Sequence, residues 1–161
     1  GARAAPGRPR TATVAHKGIE VEDLATVMLE FKNGAQGVIE GSTAIYPGHP
    51  ARVEVHGTQG SAVIEDGKLV FWEFTKKRAG DKKILDAMKG ESELGTGAGD
   101  PLAGLKIEGH RRQIEDFVRA VRTNRPPAIG GAEGRKAIAL LEAIYKSAKS
   151  GRVVAWHISS V

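Results

Sequence analysis

The sequence predicts an α+β domain: an open-faced, mostly antiparallel β-sheet with two C-terminal helices packed on one face. Two observations predict it. Asn33-Gly34 and Asp66-Gly67 each separate two runs of strand-forming residues, which is the pattern of a β-hairpin. Residues 109–154 then form two amphipathic helical patterns joined by a Pro-rich bend. The length of 161 residues suits one domain with its own core.

The N-terminal residues say little about the fold. Residues 1–9 consist of Gly, Ala, Arg and Pro, so we expect a frayed terminus or a cut linker. We expect the α+β domain to occupy residues 10–161. Its first strand is predicted in "RTATVAHK", residues 10–17.

The segment 23–46, "DLATVMLEFKNGAQGVIEGSTAIY", contains the strongest local signal. Asn33-Gly34 suits a two-residue type I′ turn, because both central residues of that turn need positive φ. Such a turn places Leu29 opposite Val38 and Met28 opposite Ile39. Both faces of the hairpin are partly apolar, so we expect both to be covered.

Residues 51–74 repeat this pattern. A strand over 52–56 is followed by a bend, and residues 61–65 and 68–74 form a second hairpin across Asp66-Gly67. Glu65 and Lys68 are predicted to lie opposite each other beside that turn, which is a favourable charge pair. In total the sequence predicts about five strands.

Residues 75–107 contain much of the Gly and Lys of the chain and show little periodicity. A short helix around "KKILDAMK" and a mobile loop over 90–104 are predicted. The densest group of positive charges lies here, and we interpret it as a solvated loop because no aromatic residue is interleaved with it. Its members are Lys76, Lys77, Arg78, Lys82 and Lys83.

Two helices complete the predicted fold. In the first, apolar residues recur at helical spacing, and Pro126 and Pro127 prevent its continuation. These apolar residues are Ile114, Phe117, Val118 and Val121. The stripe of the second helix consists of Ala137, Leu141, Ile144 and Ala148, widened by Ile138 and Tyr145. Gly151 suits the C-terminal cap of the second helix.

Composition excludes several classes of function. The absence of Cys rules out disulfides, thiol catalysis and Cys-ligated zinc. The His residues show no metal-ligand spacing and no Ser lies in a G-x-S-x-G elbow, so we predict neither a metal site nor a Ser–His–Asp site. No apolar run approaches the roughly 20 residues of a membrane span, and no secretory signal is present. We therefore expect a cytoplasmic protein without a membrane partner.

The candidate substrate-binding residues are Tyr46, His49 and His110. The loop "YPGHP" is fixed by Gly and two Pro, and it follows the small residues 41–43, which leave room for a ligand. Tyr46 and His49 can hydrogen-bond a polyhydroxylated ligand. His110 lies at a helix start, where backbone N–H groups are free to share an acceptor. In the structural alternative, Tyr46 packs on the sheet edge and both histidines face water.

Three segments in this order resemble a known family. They are "ATVMLEFKNGAQGVIEGS", "VEVHGTQGSAVIEDGKL" and "RRQIEDFVRAVRTNRPPAIGGAEGRKAIALLEAIYKSAKSGRVV". From about Thr11 to Val154 the chain resembles the C-terminal domain of the glucose–fructose oxidoreductase / inositol dehydrogenase / MocA family. The last segment is the most specific. It contains a Phe-Val-x-Ala helix end, a Pro bend, a Glu-Gly-Arg helix start and an Ala-Ile-Tyr-x-Ser-Ala stretch before Gly151.

The resemblance implies a dihydrodipicolinate-reductase-like C-terminal domain that follows a nucleotide-binding Rossmann domain. The family transfers hydride between NAD(P) and a carbon of a sugar, polyol or related compound. The chain has no G-x-G-x-x-G after a strand, no Glu-Lys-Pro motif and no Asp-x-x-x-His motif, and these would lie upstream of Gly1. We therefore expect no catalytic or cofactor-binding residue here. NAD or NADP would be bound by a domain outside this chain, which alone would be inactive.

The leading hypothesis is the substrate-binding and dimerisation domain of an NAD(P)-dependent oxidoreductase acting on CH–OH groups. It implies a homo-oligomer formed through the sheet face and a sugar or polyol as small-molecule partner. The second hypothesis is a non-catalytic oligomeric interaction module. A third, a nucleic-acid binder, would use the net charge of +5. Because the positive charges are dispersed, we expect no nucleic-acid partner.

Overall fold

The computed structural model describes residues 2–4, 10–87 and 107–156. They form seven strands and three helices, with all strand pairs antiparallel, which confirms the α+β class. The strands form a four-stranded and a three-stranded sheet. The chain falls into two compact units, one comprising Gly1–Ile45 and Pro126–Val161 and the other Tyr46–Arg125. One α+β domain over residues 10–161 stays a prediction.

The sheet of the first unit is built around β3, Leu24–Phe31. β4, Gln36–Ser42, pairs with β3 along its length. Two short strands, β1 at Ala2–Ala4 and β2 at Arg10–Ala12, pair with the two ends of β3. The pairing of β1 differs from the expected frayed terminus, because an open strand edge can accept any backbone that becomes extended. Residues 5–9 lie outside the described residues.

The first hairpin has a three-residue turn in place of the predicted two-residue turn. Gly34 has a φ of 83°, whereas Asn33 does not take positive φ. The Gly34 N–H donates to the Phe31 carbonyl at 2.9 Å, and the Phe31 N–H donates to the Ala35 carbonyl at 2.8 Å. A tight turn followed by a left-handed glycine is the usual three-residue hairpin loop.

The longer turn shifts the pairing of β3 with β4 by one residue. Met28 lies opposite Val38 and Val27 opposite Ile39, so the predicted pairs Leu29–Val38 and Met28–Ile39 were wrong. The two faces of this sheet are unequal. Val27 is buried, at 2% exposure, whereas Met28 and Val38 on the opposite face are exposed.

Helix α3, Gly131–Ser150, completes the first unit. Its buried residues are Ala143, Ile144 and Ser147. Of the predicted stripe only Ile144 is buried, and Leu141 is 48% exposed. The buried face of α3 is therefore rotated, relative to the predicted stripe, towards the small residues Ala143 and Ser147. Small side chains allow closer packing than the larger Leu141 that was predicted to be buried.

The end of α3 confirms the predicted glycine cap. Gly151 has a φ of 64°, and its N–H donates to the Ser147 carbonyl at 2.9 Å. The fully buried Ser147 adds a second bond, since its hydroxyl donates to the Arg152 carbonyl at 2.5 Å. The serine thus satisfies its own buried hydroxyl while it fixes the chain after the helix.

The second unit contains a sheet in the order β5, β6, β7, with bounds Arg52–Gly57, Gly60–Glu65 and Lys68–Phe74. The second hairpin is confirmed, because Asp66 and Gly67 both have positive φ, 47° and 84°, and form a two-residue turn. Glu65 lies opposite Lys68, as predicted.

Two helices belong to the second unit. α1, Asp81–Ala87, confirms the short helix predicted around "KKILDAMK", although residues 88–89 and the loop predicted over 90–104 lie outside the described residues. α2, Glu108–Arg122, confirms the first long helix. Its apolar face is exposed, with values from 41% to 67% for Ile114, Phe117, Val118 and Val121. Such a face is typical of a surface that another folded body covers.

Candidate functional site

The loop that opens the second unit carries two of the predicted site residues. The Tyr46–Pro47 peptide bond is cis, and Gly48 has a φ of 125°, a conformation that side-chain-bearing residues rarely adopt. The Tyr46 side chain is 96% exposed, and His49 is also exposed. Tyr46 therefore does not pack on the sheet edge, as the structural alternative had it, whereas the exposure of His49 agrees with that alternative.

The third predicted site residue, His110, is exposed in the first turn of α2. The Glu108 carboxylate in this turn accepts bonds of 2.6 Å from Arg111 and from Arg112. The hydrogen bonds from Arg111 have the largest effect and that from Arg112 the next, and together they lower the pKa of the Glu108 carboxyl to about 2. Ile107 precedes the helix and provides no side-chain acceptor for its first N–H groups. His110 thus lies in a first helical turn whose N-cap residue provides no side-chain acceptor.

All three predicted site residues belong to the second unit. Within the described part of the chain, none of their side chains forms a hydrogen bond or an ion pair. Their donors and acceptors are therefore not used up by the fold. That property suits binding of hydroxyl groups, and a role in substrate binding stays a prediction for Tyr46, His49 and His110.

Asp23, directly before β3, organises the first unit, a role that no pattern in the sequence predicted. Its side chain is fully buried. The carboxylate accepts the N–H groups of Val14, Ala15 and His16 at 2.7, 2.8 and 2.9 Å. The His16 and Val14 backbone N–H groups contribute most to holding the pKa of Asp23 well below its usual range.

The Asp23 bonds also explain where β2 ends. The strand predicted over 10–17 stops at Ala12, because the N–H groups that follow it bond to the carboxylate and not to a neighbouring strand. The Asp23 carbonyl in turn accepts the Thr43 N–H at 2.9 Å, directly after β4. Asp23 thereby fixes both chain segments that flank the start of β3.

Polar side chains cover one face of the second sheet. His56 Nδ1 lies 2.9 Å from Ser61 Oγ, and His56 Nε2 lies 2.9 Å from a Glu54 carboxylate oxygen. Arg52 bonds to both Glu54 and Glu65. The pKa of the Glu54 carboxyl is lowered, mainly by its hydrogen bond with the His56 ring and secondly by its bond with the Arg52 guanidinium. The contact order Ser61–His56–Glu54 is that of a Ser–His–acid site, which the sequence did not predict.

This serine is nevertheless poorly placed for acyl transfer. Ser61 lies on the central strand β6, whose backbone N–H groups pair with β5 and β7. Acyl transfer needs free N–H donors aimed at the developing oxyanion. The His56 side chain is also 61% exposed. We therefore interpret these residues as a surface network of charges.

Several kinds of site are missing from the ranges that the structure describes. Those ranges contain no group of three or more potential metal ligands. Their strands are all antiparallel, so they hold no βαβ unit of the kind that binds the pyrophosphate of a dinucleotide at a helix N-terminus. No helix among them has the length and apolar character needed to cross a membrane.

Comparison with known proteins tests the resemblance found in the sequence. Residues 3–156 match a family model described as the C-terminal alpha/beta domain of an oxidoreductase family. The match covers most of the chain and confirms the resemblance.

Two curated relatives are inositol dehydrogenases. The chain is 28% identical to myo-inositol 2-dehydrogenase of Thermotoga maritima over 136 residues, and 25% identical to inositol 2-dehydrogenase of Rhizobium meliloti over 132 residues. Each match covers 82% of this chain and 36% of the relative. The chain thus spans about a third of the length of these relatives.

Solved structures share the fold. The WlbA dehydrogenase of Chromobacterium violaceum, in complex with NADH and UDP-GlcNAcA, has a TM-score of 0.69 at 29% identity, with 95% of this chain and 40% of that chain covered. Levoglucosan dehydrogenase, in complex with NADH and levoglucosan, has a TM-score of 0.64 at 22% identity, with 95% of this chain and 44% of that chain covered. This second likeness concerns the fold alone.

Proposed function

The chain belongs to this oxidoreductase family as a C-terminal α/β domain, and we propose that it is the substrate-binding and oligomerisation domain of an NAD(P)-dependent enzyme. The proposed enzyme transfers hydride to or from a CH–OH carbon of a sugar, polyol or related compound. The observation that carries this proposal is the match of residues 3–156 to the family's C-terminal domain. The names of the two inositol dehydrogenases support the substrate class. A cytoplasmic location stays a prediction.

The cofactor belongs, in this proposal, to another part of the enzyme. Antiparallel pairs connect the strands of both described sheets, and this architecture does not fit the pyrophosphate of NAD(P). We therefore assign no hydride-transfer step to a residue of this chain. By the family resemblance, an upstream Lys and His would handle the hydroxyl proton.

We assign Tyr46, His49 and His110 to the substrate side of the proposed enzyme. Exposed, unbonded phenol and imidazole groups can exchange water for substrate hydroxyl groups with little rearrangement of the protein. A site that hydrogen-bonds hydroxyl groups discriminates strongly against analogues that lack them. These three residues would bind and orient the substrate.

The function is tested with the full-length protein encoded by the native gene. We expect NAD(P)-dependent oxidation of at least one compound in a panel of inositols, aldoses and sugar acids, followed by NAD(P)H absorbance. A full-length protein that contains neither a dinucleotide-binding domain nor dehydrogenase activity would favour the alternative, a non-catalytic oligomeric interaction module.

We predict that this chain alone does not bind NADH or NADPH measurably. The reason is that the sequence has no G-x-G-x-x-G after a strand, and that the described strands form no βαβ unit whose helix N-terminus could hold a pyrophosphate. Calorimetric titration of the chain with each dinucleotide checks this, with no saturable heat expected below about 1 mM. Micromolar binding would contradict the prediction.

We also propose that the chain self-associates through the exposed face of the first sheet. The corrected register identifies this face, because Val27 is already buried while Met28 and Val38 on the opposite face are exposed. An apolar sheet face left open is an interface or an aggregation hazard.

Replacement of Val38 by aspartate is expected to weaken this self-association at least tenfold, because a carboxylate at an apolar interface loses its hydration. Sedimentation velocity over a concentration series measures the effect. Ile129→Asp is a matched control, since Ile129 lies in a loop of the same unit and is 59% exposed, against 67% for Val38. A strictly monomeric unsubstituted chain, or equal effects of both substitutions, would refute the proposed interface.

A further inference from the structure

The imidazole of His16 is held by the buried carboxylate of Asp23 in the first unit. His16 Nδ1 lies 3.2 Å from Asp23 Oδ2, and the same oxygen accepts the His16 backbone N–H at 2.9 Å. The Asp23 side chain is fully buried, whereas the His16 side chain is 48% exposed. The imidazole is therefore anchored through Nδ1 while about half of the side chain stays accessible to a ligand.

The contact with Asp23 decides which ring nitrogen of His16 carries the hydrogen. Backbone N–H groups, that of His16 first and that of Val14 second, hold the pKa of Asp23 well below its usual range, so the carboxylate is ionised at neutral pH. An ionised carboxylate only accepts hydrogen bonds. In the neutral imidazole the hydrogen is therefore on Nδ1, which leaves Nε2 with a free lone pair. No described residue bonds to His16 Nε2.

His16 differs in this respect from the other histidines that the structure describes. Both ring nitrogens of His56 already bond to neighbouring side chains. The rings of His49 and His110 have no bonding partner, so no protein contact fixes their orientation or their tautomer. His16 combines a fixed ring with a free acceptor nitrogen. This combination is what a binding site needs in order to orient a hydrogen bond to a ligand.

The loop that contains His16, residues 13–22, is closed by its own hydrogen bonds. Thr13 Oγ1 donates to the Val21 carbonyl at 2.7 Å. The Ile19 N–H donates to the His16 carbonyl at 3.2 Å. Together with the bonds to the carboxylate, these contacts fix the backbone on both sides of the imidazole. A ring that is already held in place loses little conformational freedom when a ligand binds to it.

The loop of His16 also leaves the first sheet at the end that leads to a predicted substrate residue. β2 and β4 both end beside Leu24, the first residue of β3. The loop of His16 follows β2, and residues 43–45, which lead along the chain to Tyr46, follow β4. His16 therefore lies at the end of the sheet from which the chain continues into the loop assigned to substrate.

We propose that His16 Nε2 accepts a hydrogen bond from one hydroxyl group of the sugar or polyol substrate, and that Asp23 positions the ring. This proposal rests on the proposed oxidoreductase function and adds a binding residue from the first unit to Tyr46, His49 and His110. An acceptor nitrogen selects a hydroxyl group that donates, and it discriminates against a ligand from which that hydroxyl is missing. No proton transfer is assigned to His16.

Two substitutions of His16 in the full-length enzyme separate substrate binding from structural support. His16→Asn keeps an amide N–H that can bond to Asp23 but provides no acceptor at the position of Nε2. We expect it to lower kcat/KM for the preferred substrate about tenfold, with a melting temperature within about 2 °C of the wild type. The amide oxygen of His16→Gln can reach the position of Nε2, so we expect kcat/KM within about threefold of the wild type.

Lys17→Ala is the matched control for these variants. Lys17 is the next residue of the same loop, and its side chain is exposed without a partner in the described ranges. We expect its kcat/KM to equal that of the wild type. A loss in His16→Gln as large as that in His16→Asn, or an equal loss in Lys17→Ala, would overturn the proposal.

Singly deoxygenated analogues of the preferred substrate identify the hydroxyl group that His16 contacts. For one analogue we expect His16→Asn to leave kcat/KM within about twofold of the wild type, because the contacted hydroxyl is already missing. For the other analogues the loss is expected to stay about tenfold. An equal loss for every analogue would refute the contact, while the activity of the wild type would still support the oxidoreductase function. A full-length wild type without NAD(P)-dependent activity would refute both.

Discussion

Replacement of Asp23 by alanine is expected to lower the melting temperature of the chain by about 5 to 10 °C. Three backbone N–H groups, those of residues 14–16, lose their acceptor in this variant. The Asp23 carboxylate is charged and its side chain is buried, and hydrogen bonds to a charged group contribute more to stability than bonds between neutral groups. The effect is therefore larger than that of most surface substitutions.

The contribution of Asp23 also depends on pH. The folded-state pKa of Asp23 lies below the ordinary value of 3.8, so the unfolded chain takes up the proton first as the pH falls. The stabilisation is complete above about pH 5 and is lost as the pH falls below 4 towards the folded-state pKa. We expect the difference in melting temperature between wild type and Asp23→Asn to be large at pH 7 and smaller at pH 3.

Thermal unfolding at both pH values measures this prediction. Glu20→Ala is the matched control, because Glu20 is an exposed acidic residue three positions before Asp23 with no partner among the described residues. Its melting temperature is expected to stay within about 1 °C of the wild type. A pH-independent loss in Asp23→Asn, or an equal loss in Glu20→Ala, would show that the buried carboxylate is not the cause.

The two hairpins show which parts of the fold are local enough to predict. At Asp66-Gly67 both residues take positive φ, so the two-residue turn and its register follow from the dipeptide. At Asn33-Gly34 only Gly34 does so, which adds one residue to the turn. Asparagine tolerates either sign of φ, so the dipeptide alone does not decide between the two turns.

Contacts between distant residues account for the features that the sequence analysis missed. The chain has 19 acidic residues, and nothing in the local pattern distinguishes Asp23 from the others. Residues 14–16 lie against Asp23, and their backbone N–H groups donate to its carboxylate. No local sequence pattern encodes this contact. Ser147 is similar, because its hydroxyl bonds to a carbonyl beyond the end of the helix and makes a polar residue part of the buried face.

The features of the second unit were predictable to different degrees. The alternation of Trp72 and Phe74 places both rings on one face of a strand, and that signal was available in the sequence. The position of α1 near these rings depends on contacts that a pattern of period two does not encode. For His49 and His110, the sequence and the family resemblance supplied the hypothesis, and the structure adds that both are exposed within one unit.

In the full-length enzyme, His49→Ala or His110→Ala is expected to lower kcat/KM by about 10- to 100-fold, or about 1.4 to 2.8 kcal/mol. Each imidazole has free hydrogen-bonding capacity, and loss of a bond to a substrate hydroxyl leaves that hydroxyl unpaired in the closed site. Because these residues are assigned to substrate binding and not to proton transfer, NAD(P)H affinity is expected to stay unchanged. Stopped-flow and steady-state kinetics on the preferred substrate measure both quantities.

His56→Ala is the control for these variants. His56 is another exposed histidine of the same unit, but Ser61 and Glu54 already occupy both of its ring nitrogens. We therefore expect kcat/KM of His56→Ala to stay within about twofold of the wild type, because its imidazole has no free atom to offer a substrate. A loss in His49→Ala and His110→Ala that His56→Ala does not share would tie the effect to free imidazole groups and not to the removal of surface histidines. Unchanged kinetics in both site variants, with melting temperatures intact, would mean that the substrate lies elsewhere on this domain.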